Sequence, residues 1–282
     1  AYAPGLETIR HKRHMLSGEV ENALQDGQIR PWFQPQLNTA TGAISGFEAL
    51  ARWHHPKRGV LPPGEFLPAV ADAGCMEALG HSILFHSLNA LKSWDDAGLR
   101  VPSVSVNFST TELRNPRLID RVKWEIDRFE MHPARLTVEI LETVAAESRD
   151  DTVISTLTAL GAHGVNLDLD DFGIGQASLS AIRRFGVSRI KIDRSFVMGM
   201  DDDPEQQSMV SAILAMAQHL GIETLAEGVE TPAVQDMLTK MGCNHVQGYL
   251  IARPMPLEET FAWTSGHNST VLDLNKHGRH AS

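Results

Sequence analysis

Leu136-Thr137-Val138-Glu139-Ile140 is a short β-branched and apolar run; a helical pattern over 151–163 follows, and Val165-Asn166-Leu167-Asp168-Leu169-Asp170 is a second such run. Gly164 stands between helix and second run, where a left-handed residue commonly ends a helix. Arg189-Ile190-Lys191-Ile192 supplies the next run. Strands that alternate with helices predict a parallel sheet with helices packed outside it.

The same alternation extends in both directions. Runs over Trp32–Leu37, Ile44–Leu50 and Val104–Asn107 precede the quoted stretch, and runs over Glu223–Glu227 and Val246–Leu250 follow it. Helices are predicted over Pro116–Phe129, Glu205–Leu220 and Pro232–Met241, the last two followed by Gly221 and Gly242. Eight such strands in a chain of 282 residues predict a closed α/β barrel. The link Asn38–Ala43 is too short for a parallel crossover, so the first strand is expected to run antiparallel to the second. The long interval before Val104 has room for two helices, over Glu65–Ala73 and Glu77–Trp94. The expected fold is therefore a modified TIM (β/α)8 barrel with an antiparallel first strand.

Composition narrows the function. Hydrophobic residues make up 42% and charged residues 21%, as in a folded globular protein. A formal charge of -10 opposes binding of DNA, RNA or an anionic membrane surface. Cys75 and Cys243 stand far apart and form no CxxC motif, which fits a reducing, cytoplasmic setting, although the parent protein could be membrane-anchored. The chain opens on Ala1-Tyr2-Ala3-Pro4, so we expect a piece of a longer protein with an upstream sensor or diguanylate cyclase domain. The expected organisation is a linker over 1–16, a barrel over 17–264 and a loosely ordered tail over 265–282.

The functional signal lies at the strand ends, which carry Glu48, Asn107, Glu139, Asp170 with Asp171, Lys191 with Asp193, Glu227 and Gln247. In a barrel these side chains converge at the C-terminal mouth. Glu48, Glu139, Asp170, Asp171 and Glu227 would gather five carboxylates in one pocket, which repel one another unless they are protonated or bridged by cations. Oxygen ligands without a Cys or His cluster suit Mg²⁺ or Mn²⁺, and so many carboxylates suit a pair of ions sharing an Asp, an arrangement that hydrolyses phosphodiesters. Lys191 would add a fixed positive charge there.

A single acid at a strand end is usually a helix cap or a solvated residue; it is the repetition in register that argues for a site. Asp168, on the same strand face as Asp170, reads as a structural ion pair. Gly173-Ile174-Gly175 lacks the third glycine of a dinucleotide fingerprint and reads as a mobile loop. His54-His55 reads as structural, since a hard-ion site prefers oxygen.

These residues resemble the EAL-domain phosphodiesterases of bacterial cyclic di-GMP signalling, from about Ser17 to Phe261. The resemblance is carried by Gln34-Pro35, Glu48-Ala49-Leu50-Ala51-Arg52, Val106-Asn107-Phe108-Ser109, Glu139-Ile140-Leu141-Glu142 and Asp170-Asp171-Phe172-Gly173-Ile174-Gly175. Lys191-Ile192-Asp193, Ala226-Glu227-Gly228-Val229-Glu230 and Gln247-Gly248-Tyr249 complete it. It implies hydrolysis of cyclic di-GMP to pGpG with two Mg²⁺ or Mn²⁺ ions. By the same resemblance Glu48, Asn107, Glu139 and Asp170 hold one ion, Asp170, Asp171 and Glu227 the second, and Lys191 orients the attacking water. Gln34, Arg52, Asp193 and Gln247 are expected at the substrate, with Gln247 and Glu230 also behind the metal ligands and Glu142 anchoring the loop. A homodimer is the family expectation. The chain departs from the family pattern at Ile174, Gln176 and Leu141, none of them a ligand. The complete ligand set favours an enzyme over a non-catalytic cyclic di-GMP receptor; an unrelated metal-dependent barrel acting on another phosphoester is the third reading.

Overall fold

The computed structural model describes residues 13–147, 150–175 and 179–278. Its strands are β1 (Ile29–Asn38), β2 (Ile44–His55), β3 (Gly59–Leu61), β4 (Val104–Asn107), β5 (Leu136–Leu141), β6 (Asn166–Phe172), β7 (Arg189–Ile192), β8 (Glu223–Ala226) and β9 (His245–Val246). They lie in the order β1-β9-β8-β7-β6-β5-β4-β2-β3, and a further β1–β2 pairing closes the sheet into a barrel, with β3 outside it as a hairpin on β2. β1 is antiparallel to both of its neighbours, β2 and β9, while the remaining barrel pairs are parallel. The expected modified barrel is the one observed. Because β1 runs backwards, its Gln34 stands opposite Glu48 of β2, so the start of β1 shares the mouth with the C-terminal ends of the other strands.

Period-two alternation sorts the barrel's two faces. Val138 and Ile140 of β5, Leu167 and Leu169 of β6, and Ile190 and Ile192 of β7 are buried in the apolar shell beneath the helices. The residues between them, Glu139, Asp168, Asp170, Arg189 and Lys191, form ion pairs with one another inside the barrel. The helix Met76–Asp96 seals the shell on the β1–β2 side: Trp94 stacks on Phe47 with ring centroids 4.9 Å apart and meets Phe33 edge-on at 5.3 Å. Its indole nitrogen donates to Thr260 Oγ1 at 2.8 Å, which ties the C-terminal helix to the barrel.

That helix, Leu257–Gly278, runs past residue 265, where a loose tail is expected from the sequence; residues 279–282 of that stretch lie outside the described residues. Its polar residues bond back along the helix, Ser269 to the Ser265 carbonyl and Thr270 to the Gly266 carbonyl, and the His267 ring donates to the Gly42 carbonyl at 2.7 Å. Weak amphipathicity hid a helix that local hydrogen bonds and docking sustain. β2 runs on to His55, because its far end pairs with β3. β9 ends at Val246, earlier than expected, because Gln247 and Leu250 exchange backbone hydrogen bonds with Val229 in the loop after β8. A Cβ at Gly248 would lie 2.1 Å from the Val229 carbonyl oxygen, so only glycine allows this approach. No helix among the described residues is long and apolar enough to cross a membrane.

Candidate active site

The strand ends converge on Lys191. Its Nζ, fully buried, lies 2.8 Å from Glu139 Oε2 and Glu227 Oε1, 3.0 Å from Asp170 Oδ1 and 3.5 Å from Glu48 Oε1. Asn107 donates through Nδ2 to Glu48 Oε1 at 3.1 Å and to Glu139 Oε2 at 3.0 Å, which leaves its side-chain carbonyl oxygen outside both bonds. Glu48, Glu139 and Asp170 each place a carboxylate oxygen within 4.8 Å of the others; so do Asp170, Asp171 and Glu227. The two triads share Asp170.

Successive strand residues point to opposite faces, yet Asp170 and Asp171 both serve the mouth. The β6–β7 register slips between Leu169 and Phe172, and Asp171 takes φ 54°, a left-handed conformation that non-glycine residues adopt at some cost. The strained residue turns the second carboxylate back toward the first. Just beyond it, Glu142 Oε2 accepts the backbone N–H groups of Gly173 and Gly175, both at 2.9 Å. These two bonds tie Gly173 and Gly175, in the stretch that reads as mobile, to Glu142; Gln176 lies outside the described residues.

Burial sets the proton balance. Burial alone would push the Lys191 ammonium down, but Asp170, Glu139, Glu227 and Glu48 hold it well above the ordinary lysine range. Burial, and then the neighbouring Glu48 charge, drive the Glu139 carboxyl well above its usual range. Burial, opposed by Lys191, raises Glu227 to about 8. Asp171 is raised by burial and then by Asp170 and Asp193. Glu48 goes the other way: burial raises it, but Lys191 and hydrogen bonds that include those from Gln247 and Asn107 carry it below the ordinary value. One ammonium does not balance this many carboxylates, so protons make up the rest. Divalent cations fit the same site. Glu139 Oε1 is buried without a hydrogen-bond partner, and the donors are hard oxygens arranged as two triads.

The mouth opens into a pocket of about 240 Å³ lined by Gln34, Glu48, Asp170, Glu227, Glu230 and Gln247, with Arg194, Met198 and Tyr249 among its other walls. The Gln34 amide is engaged at both ends, accepting from Gln247 at 3.1 Å and donating to the Ala252 carbonyl at 3.1 Å. Gln247 also donates to Glu48 Oε2. Arg52 lies beside the pocket, its guanidinium 5.8 Å from the Trp32 ring and pushed down by burial against the pull of Tyr249 and Glu48. The Asp193 carboxylate caps the short helix Arg194–Val197 by accepting from Ser195 N at 2.8 Å. Glu230 stands exposed at the rim. Asp168 pairs with Arg189, as read from its strand face. His54 meets Trp32 and His55 meets Glu19, both apart from the acidic cluster. Sequence reasoning missed Gln36 and Arg189, which enter the network below; the signal available was period two, since they stand two residues from Gln34 and Lys191.

A family model of the EAL domain matches residues 17–254. The chain is 36% identical over 247 residues to the bifunctional diguanylate cyclase/cyclic di-GMP phosphodiesterase MucR of Pseudomonas aeruginosa, covering 88% of this chain and 36% of that protein. It is 33% identical over 248 residues to the cyclic di-GMP phosphodiesterase PdeR of Escherichia coli, covering 88% of this chain and 37% of the relative. It therefore spans little more than a third of these relatives' length. The fold matches a structure described as the PaMucR phosphodiesterase in a c-di-GMP complex, with TM-score 0.82 and 35% identity over 87% of this chain and 99% of that one. With the family match running from ahead of β1 to beyond β9, the chain belongs to the EAL-domain family of cyclic di-GMP phosphodiesterases.

Proposed function

We propose that this chain hydrolyses cyclic di-GMP to linear pGpG with two Mg²⁺ or Mn²⁺ ions. The observation that carries the reading is the shared Asp170, which joins two carboxylate triads around one pocket. Glu48, Asn107, Glu139 and Asp170 would hold one ion, and Asp170, Asp171 and Glu227 the other. Bound there, the ions would polarise the phosphodiester and make a bound water acidic.

The chain's own residues supply the rest. Lys191 keeps its charge at neutral pH, so its Nζ can hold the attacking water and offset negative charge that builds on the phosphate. The reach of Arg52 beside the pocket suits a phosphate oxygen, which a guanidinium matches in geometry. Gln34 lines the pocket as a substrate contact, and Asp193, which holds the start of the Arg194 helix, shapes the same wall. Gln247 and Glu142 act from behind, one on Glu48 and the other on the loop after Asp171. Glu230 belongs to the rim. An upstream signalling domain and a homodimer complete the reading, the first supported by the small share of each relative that the chain covers.

Incubation with cyclic di-GMP and Mg²⁺, followed by chromatography of the products, tests the proposal. It predicts pGpG from the native chain and none from Glu48→Ala. Cyclic di-GMP retained intact on the protein would favour a receptor. Failure to bind or cleave it, with cleavage of a generic phosphodiester, would favour the unrelated barrel.

A further inference from the structure

Beneath the acidic cluster runs a second, buried polar chain. Arg189 of β7 donates through Nη2 to Gln36 Oε1 at 3.0 Å. In the sheet, β9 and β8 separate β1 from β7, so this bond crosses the barrel lumen. Gln36 Nε2 donates to Gln247 Oε1 at 2.8 Å, and Gln247 Nε2 donates to Glu48 Oε2 and to Gln34 Oε1. At the other end Asp168 Oδ2 accepts from Arg189 Nε at 2.7 Å. Asp168, Arg189, Gln36 and Gln247 are all buried.

The chain has a direction that chemistry enforces. A guanidinium only donates, so Gln36 must turn its oxygen toward Arg189 and its nitrogen away. That nitrogen meets the oxygen of Gln247, whose own nitrogen is left for Glu48, and a carboxylate only accepts. Reversing either amide would set like groups face to face away from water and leave buried polar groups unsatisfied.

We infer that Asp168, Arg189 and Gln36 are positioning residues for the acidic site. They fix the Gln247 amide, which holds Glu48 Oε2 and leaves Glu48 Oε1 facing Asn107 and Lys191. The consequence for metal affinity rests on Glu48 being a ligand, as proposed above; the orientation of Gln247 does not.

The test separates the two. In the metal-free protein, the side-chain amide protons of Gln247, assigned in NMR spectra by their loss in Gln247→Met, should exchange slowly with solvent. Gln36→Met should speed that exchange by roughly tenfold or more, as expected when a buried hydrogen bond is lost. By calorimetry, Gln36→Met should weaken Mn²⁺ binding roughly 10–100-fold. In a Gln247→Met background the same change should cost less than about twofold, because Gln36 acts through Gln247. Gln36→Asn, an amide too short to reach both partners, provides a second variant with the same expected losses. Unchanged Gln247 exchange in both variants would overturn the inference, as would an equal Mn²⁺ loss in both backgrounds. Faster exchange in a protein whose native form binds no Mn²⁺ would uphold the positioning and sink the metal reading.

Discussion

Lys191 Nζ and Glu227 Oε1 lie 2.8 Å apart, a salt bridge from β7 to the residue just past β8. The same ammonium reaches Glu139, Asp170 and Glu48, so a single cation is shared among acids drawn from β2, β5 and β6 as well. Lys191 thus has two duties on this account. It holds the cluster together without metal, and it stabilises the transition state when metal is bound.

Lys191→Met separates these duties. Turnover should fall by roughly 10²–10³, the loss typical of removing one electrostatic stabiliser, while affinity for cyclic di-GMP in Ca²⁺ stays within a few-fold. The metal-free variant should also be less stable by about 3–5 kcal/mol, the usual cost of stranding one side of a buried ion pair. Denaturant melts with and without Mn²⁺ would measure this. A collapse of affinity with unchanged turnover of bound substrate would make Lys191 a phosphate-binding residue instead.

Metal affinity should rise with pH. Glu227 is raised to about 8 in the metal-free chain, so below that pH it carries a proton that a cation must displace. Mn²⁺ affinity is therefore expected to climb from pH 6 to 8 by roughly tenfold per unit for each proton released. For folding without metal the sign is opposite: from the ordinary glutamate range up to about 8 the folded chain holds a proton that the unfolded chain has lost, so stability falls as pH rises. Calorimetry in buffers of different ionisation enthalpy would count the protons. Affinity flat across this range would refute the proton balance described here.

The eight barrel strands and the acids at their ends were legible because both follow period two, apolar toward the helices and polar toward the lumen. The antiparallel β1 was legible from its short link. Other elements depended on partners that no local pattern announces. The hairpin β3 exists through pairing with β2, and the helix beyond residue 265 through its back-bonded Ser269 and Thr270. Asp171 was readable as an acid, but its left-handed backbone was not. Gln36 and Arg189 were overlooked because a polar residue one layer below a site looks like any solvated strand residue until the barrel closes around it.

Glu142→Ala tests the anchoring of the loop. Loss of the acceptor shared by Gly173 and Gly175 should free the segment after Asp171 and weaken the ion held by Asp171 and Glu227 by roughly 10–100-fold. The ion held by Glu48 and Glu139 should be affected only a few-fold. Two-site Mn²⁺ titration resolves them; equal weakening of both sites would contradict the assignment.

The central claim is that Asp170 joins two ion sites. Crystals soaked in Mn²⁺, with data collected for anomalous scattering, test it most directly. The account predicts two peaks about 3.5–4 Å apart, both against the Asp170 carboxylate, one also against Glu48 and Glu139 and the other against Asp171 and Glu227. A single peak, or two peaks that do not share Asp170, would contradict it.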